Sequence, residues 1–151
     1  MSDAPPNGMP EWERAVRASF ASVGFLRLIG ATLDRVEMGE VEISLPMRAD
    51  LAQQHGFGHG GMIATVLDAA SGYAAMTTMP PGHEVLSVEF KVNFLNPAVA
   101  ERFVAIGRVV KSGRTLVVTQ GEVRGTSSGG DRKTIAVMQG TMVGRAAGGG
   151  S

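Results

Sequence analysis

The chain has 151 residues, 44% of them hydrophobic and 19% charged, a composition typical of one folded domain and unlike that of disordered proteins. Lysine plus arginine and aspartate plus glutamate number 14 each, so the overall charge does not favour nucleic acid or an anionic membrane as a partner. Cysteine is absent, which excludes disulfides, thiolate zinc sites and cysteine nucleophiles and leaves carboxylates, hydroxyls and histidines for any chemistry.

The two ends of the chain have the composition of flexible segments. We expect residues 1–10 to be flexible because proline and glycine are concentrated there, and residues 145–151, RAAGGGS, because they hold nothing to bury. A single domain is expected over residues 11–144. The start, MSDAPPNGMPEWERAV, lacks the basic and apolar regions of a secretory signal, which favours a cytoplasmic location.

The first half of the domain is expected to hold a helix, a strand, a loop and a second helix. Over residues 11–30 the apolar positions recur at helical spacing, which predicts an amphipathic helix. Residues 36–45 alternate between apolar and polar, which predicts a half-buried strand ending at Pro46. Four glycines within residues 51–61 predict a loop. Residues 60–79 are apolar and rich in small side chains but carry an aspartate and lack basic flanks, which indicates a buried helix and not a membrane span.

The second half of the domain predicts strands. Residues 86–94 alternate strictly. One face carries Leu86, Val88, Phe90, Val92 and Phe94, and the other carries Ser87, Glu89, Lys91 and Asn93. Residues 102–111, 115–124 and 133–143 are β-like and joined by turn-prone segments, which predicts an antiparallel meander. One apolar helix between an early strand and these later strands indicates an α+β fold, in which a curved antiparallel sheet covers a central helix.

Asp68 is the residue of the apolar helix that packing alone does not explain. Burying an unpaired carboxylate costs several kcal/mol, which is on the scale of the whole stability of a small domain. One alternative is that Asp68 lies on an exposed stripe of the helix. Its helical neighbours Ala64, Thr65, Ser71 and Gly72 are small, however, and would line a crevice better than a solvated face. We therefore favour a functional carboxylate.

The loop before this helix, QQHGFGHGG, offers groups suited to acyl chemistry. Gly60 and Gly61 lie where the helix begins, so their free N–H groups and the helix dipole can stabilise a developing oxyanion. Gln53 or Gln54 can donate a side-chain N–H to the same carbonyl or orient a water, and His59 can hold the loop or contact the ligand. For any single glutamine or histidine, a purely structural role in the turn is the alternative.

A neutral chain must bind a phosphate-bearing ligand with local cations. The turn KSGR offers Lys111, Arg114 and the backbone amides of Ser112 and Gly113 for this purpose, although exposed turn residues of no special role are the alternative. The two histidines of HGFGH are four residues apart, but the glycines between them argue against a helix and no further ligands accompany them. We expect no metal.

Three segments of the chain resemble one known family. QQHGFGHGGMIATVLDAASGYAA, LSVEFKVNFLNPA and GRVVKSGRTL resemble the hotdog-fold acyl-CoA thioesterases of the phenylacetate-degradation (PaaI-like) group, over about residues 20–143. The resemblance implies a hotdog fold, with a curved antiparallel sheet wrapped around a long central helix, and hydrolysis of acyl-CoA with no cofactor beyond the coenzyme A of the substrate. It also implies a homodimer that pairs its sheets edge to edge and shares its active sites, assembled as a dimer of dimers, or homotetramer.

The resemblance also assigns roles to residues. Asp68 would be the catalytic carboxylate, as general base or nucleophile, facing the glycine-rich loop of the other subunit. The N–H of Gly60 would be the oxyanion hole, His59 a pocket residue beside it, and Gln53 would occupy a position where relatives carry asparagine or glutamine. The expected substrate- and CoA-binding residues are Gly61, Gln54, Ser71, Lys91, Asn93, Lys111, Ser112, Gly113 and Arg114.

The chain departs from the family at two positions, and one alternative function stays open. Some relatives place threonine or serine where this chain has Gly72, and Ser71 would point elsewhere, so no hydroxyl is assigned to assist the attacking water. Hotdog hydratases carry histidine five residues after the aspartate, whereas this chain has Tyr73, which disfavours hydration chemistry. A noncatalytic acyl-CoA or fatty-acyl binding module on the same fold is the alternative function.

Overall fold

A six-stranded antiparallel sheet and one central helix make up the fold, which a computed structural model describes for residues 8–148. The elements are α1 Glu11–Ser22, α2 Gly24–Ile29, β1 Thr32–Glu37, β2 Glu40–Pro46, a short 3-10 helix Ala49–Leu51, α3 Gly60–Met76, β3 His83–Phe94, β4 Arg102–Ser112, β5 Leu116–Thr126 and β6 Arg132–Ala146. The sheet order is β1-β2-β4-β5-β6-β3, and every neighbouring pair is antiparallel. This confirms the predicted α+β hotdog class and the meander β4-β5-β6.

The predicted domain limits differ slightly from the elements observed. Residues 1–7 and 149–151 of the predicted flexible ends lie outside the described residues. Strand β6 continues two residues beyond the predicted domain end, because Arg145 and Ala146 pair with Glu84 and His83 of β3. Backbone pairing therefore orders the first two residues of the predicted tail.

Helix α3 lies directly against the sheet and forms the centre of the core. Its residues Ile63, Val66 and Leu67 are fully buried. Gly107 of β4 permits the close approach, because a Cβ there would lie 2.3 Å from the carbonyl carbon of Ala70. No helix within residues 8–148 combines the length and apolar character needed to cross a membrane.

The N-terminal region differs from the single helix predicted over residues 11–30. The helix is interrupted at Val23, whose backbone is extended (φ −80°, ψ 102°), so α1 and α2 are separate. Helix α2 ends at Gly30, which adopts the left-handed conformation (φ 80°) that glycine tolerates best. The break turns α2 so that Leu26 is buried while Phe25 stays 55% exposed.

The single strand predicted over residues 36–45 is also wrong, because this segment spans a hairpin. Strand β1 ends at Glu37, the chain turns through Met38 and Gly39, and β2 begins at Glu40. Gly39 has φ 78°, and its N–H donates to Thr77 Oγ1 at 2.8 Å. The apolar positions change phase at Gly39, from Val36 and Met38 to Val41 and Ile43, so each strand alternates separately and one continuous alternation does not run through the turn.

Strand β3 lies at one end of the sheet and contains a β-bulge. Between Ser87 and Glu89 the strand advances two residues while β6 advances one, from Met142 to Thr141, so Val88 is the extra residue. Ser87 therefore points towards α3, whereas Glu89 lies on the opposite face of the sheet. The prediction that these two side chains share a face is wrong, because a bulge shifts the alternation by one residue.

The sheet face turned away from α3 carries a row of ion pairs. Arg108 contacts Glu40 at 2.5 Å and Glu122 at 3.1 Å, and Arg35 also pairs with Glu40. Burial works to raise the pKa of Glu40, but hydrogen bonds from Arg108 and Arg35 outweigh it, so this pKa lies below the ordinary carboxyl value. The acidic side chains of this row are thus held in their charged form.

Candidate functional site

Asp68 lies half-buried in the middle of α3, beside a cavity of about 250 Å³ between the helix, β3 and the α1–α2 junction. The hydroxyl of Ser87 donates a hydrogen bond of 2.5 Å to Asp68 Oδ1. Among the described residues no hydrogen bond uses Oδ2. One carboxylate oxygen is therefore held by the protein, and the other is available to a water or a substrate.

Ser87 is the member of this site that sequence reasoning missed. The alternating pattern of residues 86–94 places it beside Glu89 on the wrong face. Only the bulge at Val88 turns its side chain towards α3, and bulges commonly re-aim a side chain in this way. Strand β3 thus places a hydroxyl beside Asp68, whereas α3 offers none at Gly72.

The N-terminus of α3 presents one free backbone donor. His59 is the N-cap residue, and its Nδ1 accepts a hydrogen bond of 2.9 Å from the Gly61 N–H. The Gly60 N–H, in contrast, has no acceptor among the described residues. His59 therefore holds the turn in the single chain, Gly61 has its donor occupied, and Gly60 retains the donor expected of an oxyanion hole.

Asp68 and Gly60 cannot act on one carbonyl group within a single chain. They are separated by eight residues of the same straight helix, which corresponds to about 12 Å along its axis. A tetrahedral centre needs its base and its oxyanion donor both within about 3 Å. A site that uses both groups requires a second copy of the chain.

The two glutamines of the loop before α3 have different environments. Gln53 is half-buried and its Oε1 accepts a hydrogen bond from the His55 N–H, while its own N–H donates to Phe57 O at 2.8 Å. Its side-chain NH₂ group makes no hydrogen bond within residues 8–148. Gln54 is exposed. Gln53 thus shapes the loop and keeps its side-chain donor free.

Ser71 does not belong to the Asp68 cavity, which corrects its assignment as a binding residue. It is fully buried between α3 and the sheet, and a Cβ on Gly121 of β5 would lie 2.9 Å from its Oγ. This Oγ has no hydrogen-bond partner among the described residues. Successive helix positions are rotated by about 100°, so a residue three positions after Asp68 and next to Gly72 can still face the core.

The remaining predicted binding residues lie away from Asp68 in the single chain. Lys91 and Asn93 line a concavity of about 710 Å³ on the sheet face opposite α3. Ser112, Gly113 and Arg114 line a smaller cavity of about 200 Å³ beside the residues that follow α3, and Lys111 is exposed next to them. The structure therefore does not gather these residues into one site, and their roles stay predictions.

The residues around the Asp68 cavity offer few groups for metal-dependent or other acid–base chemistry. Within residues 8–148 no three histidine or carboxylate side chains converge as metal ligands would. Tyr73 lines the Asp68 cavity, and burial raises the pKa of its hydroxyl, although a hydrogen bond with Ser19 opposes this shift. The ionisable group suited to base or nucleophile chemistry in the cavity is Asp68.

The outer edge of β3 carries apolar side chains and pairs with no strand of the described part of the chain. Within residues 8–148, β3 is the terminal strand of the sheet and pairs only with β6. The large apolar side chains exposed along this strand and just after it are Leu86, Val88, Phe90, Phe94 and Leu95. A long apolar edge of this kind is a surface that proteins usually cover with another strand.

Comparisons with known proteins agree on one family. The family model described as the thioesterase superfamily matches residues 55–129, a range that contains most of the glycine-rich loop and all of α3 and β3. The structure is similar to that of a thioesterase family protein from Silicibacter pomeroyi, with 43% sequence identity and a TM-score of 0.87. The alignment covers 90% of this chain and 99% of that one.

More distant relatives add a curated name and a second fold match. The medium/long-chain acyl-CoA thioesterase YigI of Escherichia coli is 27% identical over 115 residues, covering 66% of this chain and 74% of YigI. The PaaI protein from the phenylacetic acid degradation operon of E. coli has a TM-score of 0.78 at 19% identity, covering 88% and 92% of the two chains, which shows the shared fold. The chain spans between 59% and 67% of the length of the first curated relatives that it matches.

Proposed function

Because the chain belongs to the thioesterase superfamily, we propose that it hydrolyses acyl-CoA thioesters with Asp68 as the catalytic carboxylate. The observation that carries this proposal is the Asp68 carboxylate, held at one oxygen by Ser87 and open at the other beside an apolar cavity. The curated name of YigI supports acyl-CoA as the substrate class. Neither a metal nor a cofactor has a part in the proposed reaction.

The proposed chemistry places the thioester carbonyl between Asp68 and a Gly60 N–H. As general base, Asp68 takes a proton from water while the water oxygen bonds to the carbonyl carbon. As nucleophile, it instead bonds to this carbon and forms an anhydride that water then hydrolyses. In both routes the C–S bond breaks and the CoA thiolate leaves and gains a proton. The Gly60 N–H stabilises the oxyanion, a contribution worth about 3 kcal/mol for one such donor.

The proposed active unit is a homodimer. About 12 Å of helix separates Asp68 from Gly60 in one chain, so each site would combine Asp68 of one copy with Gly60 of the other. The open, apolar edge of β3 is suited to pairing with the same edge of a second copy. The dimer of dimers implied by the family resemblance needs a further interface and stays a prediction.

The CoA phosphates are proposed to bind at the β4–β5 turn. Lys111 and Arg114 supply cations there, and the turn is exposed beside the C-terminal end of α3. Asp68 lies eight residues before that end, about 12 Å away along the helix, which an extended pantetheine arm can span. The K111A/R114A double variant should raise the KM for acyl-CoA more than it lowers kcat.

A thiol-release assay tests the proposed reaction. The protein is incubated with short, medium and long acyl-CoAs, and free CoA is followed with a thiol reagent. Asp68→Asn keeps the size of the side chain but removes its charge, so kcat/KM should fall by at least about 100-fold. Asp131→Asn, which alters an exposed aspartate in the β5–β6 turn, is the matched control. Tight acyl-CoA binding without thiol release would instead indicate the noncatalytic binding module.

A mixing experiment tests the shared site. Gly60→Pro removes the backbone donor and preserves the helix start, because proline suits the first position of a helix and the backbone of His59 (φ −64°, ψ 135°) is compatible with a following proline. Gly60→Ala places a similar Cβ against the exposed Phe94 ring but keeps the N–H. Mixed Asp68→Asn and Gly60→Pro chains should regain about a quarter of normal activity, because half of the dimers contain one intact site. No recovery after proven subunit exchange would contradict the shared site.

A further inference from the structure

The cavity beside Asp68 is lined by Asp68, Ser87, Thr65 and Tyr73, and otherwise by apolar residues and one glycine. Asp68 and Ser87 form one side, and the other side is built from the α1–α2 junction, α3 and β3, including Phe25, Leu26 and Val85. We infer that this cavity holds the acyl group of the substrate and that the absence of a side chain at Gly72 provides space for this group. The inference rests on the proposed thioesterase function and specifies the substrate class of that site.

Gly72 lies where an added side chain would enter the cavity. It follows Asp68 by one helical turn and lines the same cavity, together with Thr65 one turn earlier. A Cβ built on Gly72 meets only Val85 Cγ1, at an ordinary contact distance of 3.7 Å. Glycine is a poorer helix former than alanine, so the helix itself gains nothing from it here. The missing side chain leaves space next to the carboxylate.

The far wall of the cavity is held in place by contacts between α1 and α3. Tyr73 is buried, and its hydroxyl lies 3.4 Å from Ser19 Oγ on α1. Its ring packs at a tilt against Phe20, with 6.0 Å between the ring centroids. Because these contacts fix the wall, a longer acyl group cannot extend the cavity in this direction without displacing α1.

The lining indicates a compact and uncharged acyl group. The volume of about 250 Å³ is below the roughly 300–1,000 Å³ of pockets that bind drug-sized ligands. Of the described residues, Asp68 and Tyr73 are the ionisable ones in the lining, and no lysine, arginine or histidine among them contributes to it. An acyl group ending in a carboxylate would have no cation to pair with and would be repelled by Asp68.

The test compares kcat/KM for butanoyl-CoA and octanoyl-CoA in paired variants. Gly72→Val fills the cavity and should lower the octanoyl-to-butanoyl ratio at least about tenfold, since one methylene excluded from a pocket changes kcat/KM by about 10- to 200-fold. Val85→Ala enlarges the cavity and should raise the same ratio. Gly129→Val, at a turn position with no atom within 4 Å of its Cβ, should leave the ratio unchanged. The unsubstituted protein should hydrolyse pentanoyl-CoA at least about tenfold faster than succinyl-CoA, whose acyl group ends in a carboxylate.

The possible results separate this inference from the proposed function. Thiol release by the unsubstituted protein with a ratio that neither Gly72→Val nor Val85→Ala changes would overturn the acyl assignment and leave the thioesterase intact. Equal losses for all substrates would mean that the cavity holds the pantetheine arm and would also overturn it. Absence of thiol release from every acyl-CoA would overturn both proposals. If circular dichroism shows Gly72→Val to be unfolded, the octanoyl-to-butanoyl ratio is measured for the smaller change Gly72→Ala, which should lower it, and for Val85→Ala, which should raise it.

Discussion

Ser87→Ala removes the hydroxyl that holds Asp68 and tests directly whether Ser87 positions this carboxylate for catalysis. The bond between Ser87 Oγ and Asp68 Oδ1 is 2.5 Å long, a length typical of a hydroxyl donating to a carboxylate. Hydrogen bonds to charged groups contribute about 1.5–3 kcal/mol. Ser87 is exposed in the single chain, so water can partly replace its hydroxyl, and the lower end of this range applies. A loss of about 1.4 kcal/mol corresponds to a tenfold lower kcat/KM.

The assay is CoA thiol release at saturating and subsaturating acyl-CoA. Because Ser87 positions the carboxylate, kcat should fall while KM changes little. Ser87→Thr keeps a hydroxyl and should restore most of the rate. Ser128→Ala removes a similar bond, from Ser128 Oγ to Glu101 Oε1 at 2.9 Å, far from the cavity, and should have no effect on turnover. A kcat/KM for Ser87→Ala within twofold of normal would refute the positioning role.

Three further predictions concern the scaffold. Gly107→Ala places a methyl group 2.3 Å from the α3 backbone, so urea denaturation should show a loss of about 1–3 kcal/mol. Glu40 has a lowered pKa in the folded state, so the stability that it contributes is complete above the ordinary carboxyl pKa and is lost as the pH falls through the lowered value. In urea denaturation at a series of pH values, Glu40→Gln should therefore reduce the loss of unfolding free energy at acidic pH. Val88→Lys places a charge on the β3 edge, so light scattering should show a monomer and the thiol-release assay should show no turnover. Val110→Lys changes a similarly exposed apolar residue on β4 and should leave the protein dimeric.

The central part of the fold could be predicted because its signals are local. The apolar run from Gly60 indicated a buried helix, the glycines before it indicated a loop, and Asp68 stood out as the one acid of that helix. The PaaI-like resemblance, which rests on the same segments, is confirmed by the thioesterase superfamily match and by the shared fold. A helix keeps its residues in register with one another, so a functional position on it can be placed from spacing alone.

The parts that were wrong depend on backbone geometry or on pairing between distant residues. The break at Val23 occurs without interrupting the apolar pattern, so the helical periodicity continues through it. The turn at Gly39 shifts the alternation by only one residue, and a shift of this size does not by itself distinguish a hairpin from one strand with a bulge. The position of Ser87 depends on how many residues of β3 oppose β6, which is a property of two strands and not of one. The buried position of Ser71 depends on the approach of α3 to Gly121, which also needs the tertiary structure.

The extra residue in β3 makes the chemistry of this strand depend on its register against β6 as well as on the identity of its residues. Loss of the single codon for Val88 would leave Ser87 next to Glu89 and still opposite Met142, so the ladder would become regular and Ser87 would stay under the Asp68 carboxylate. If Val88 instead entered the ladder opposite Met142, it would take the place of Ser87 there, and Ser87 would turn to the other face of the sheet. A slip of one residue in the first part of β3 would therefore silence the site in a chain that still folds, whereas natural loss of this one residue would preserve it.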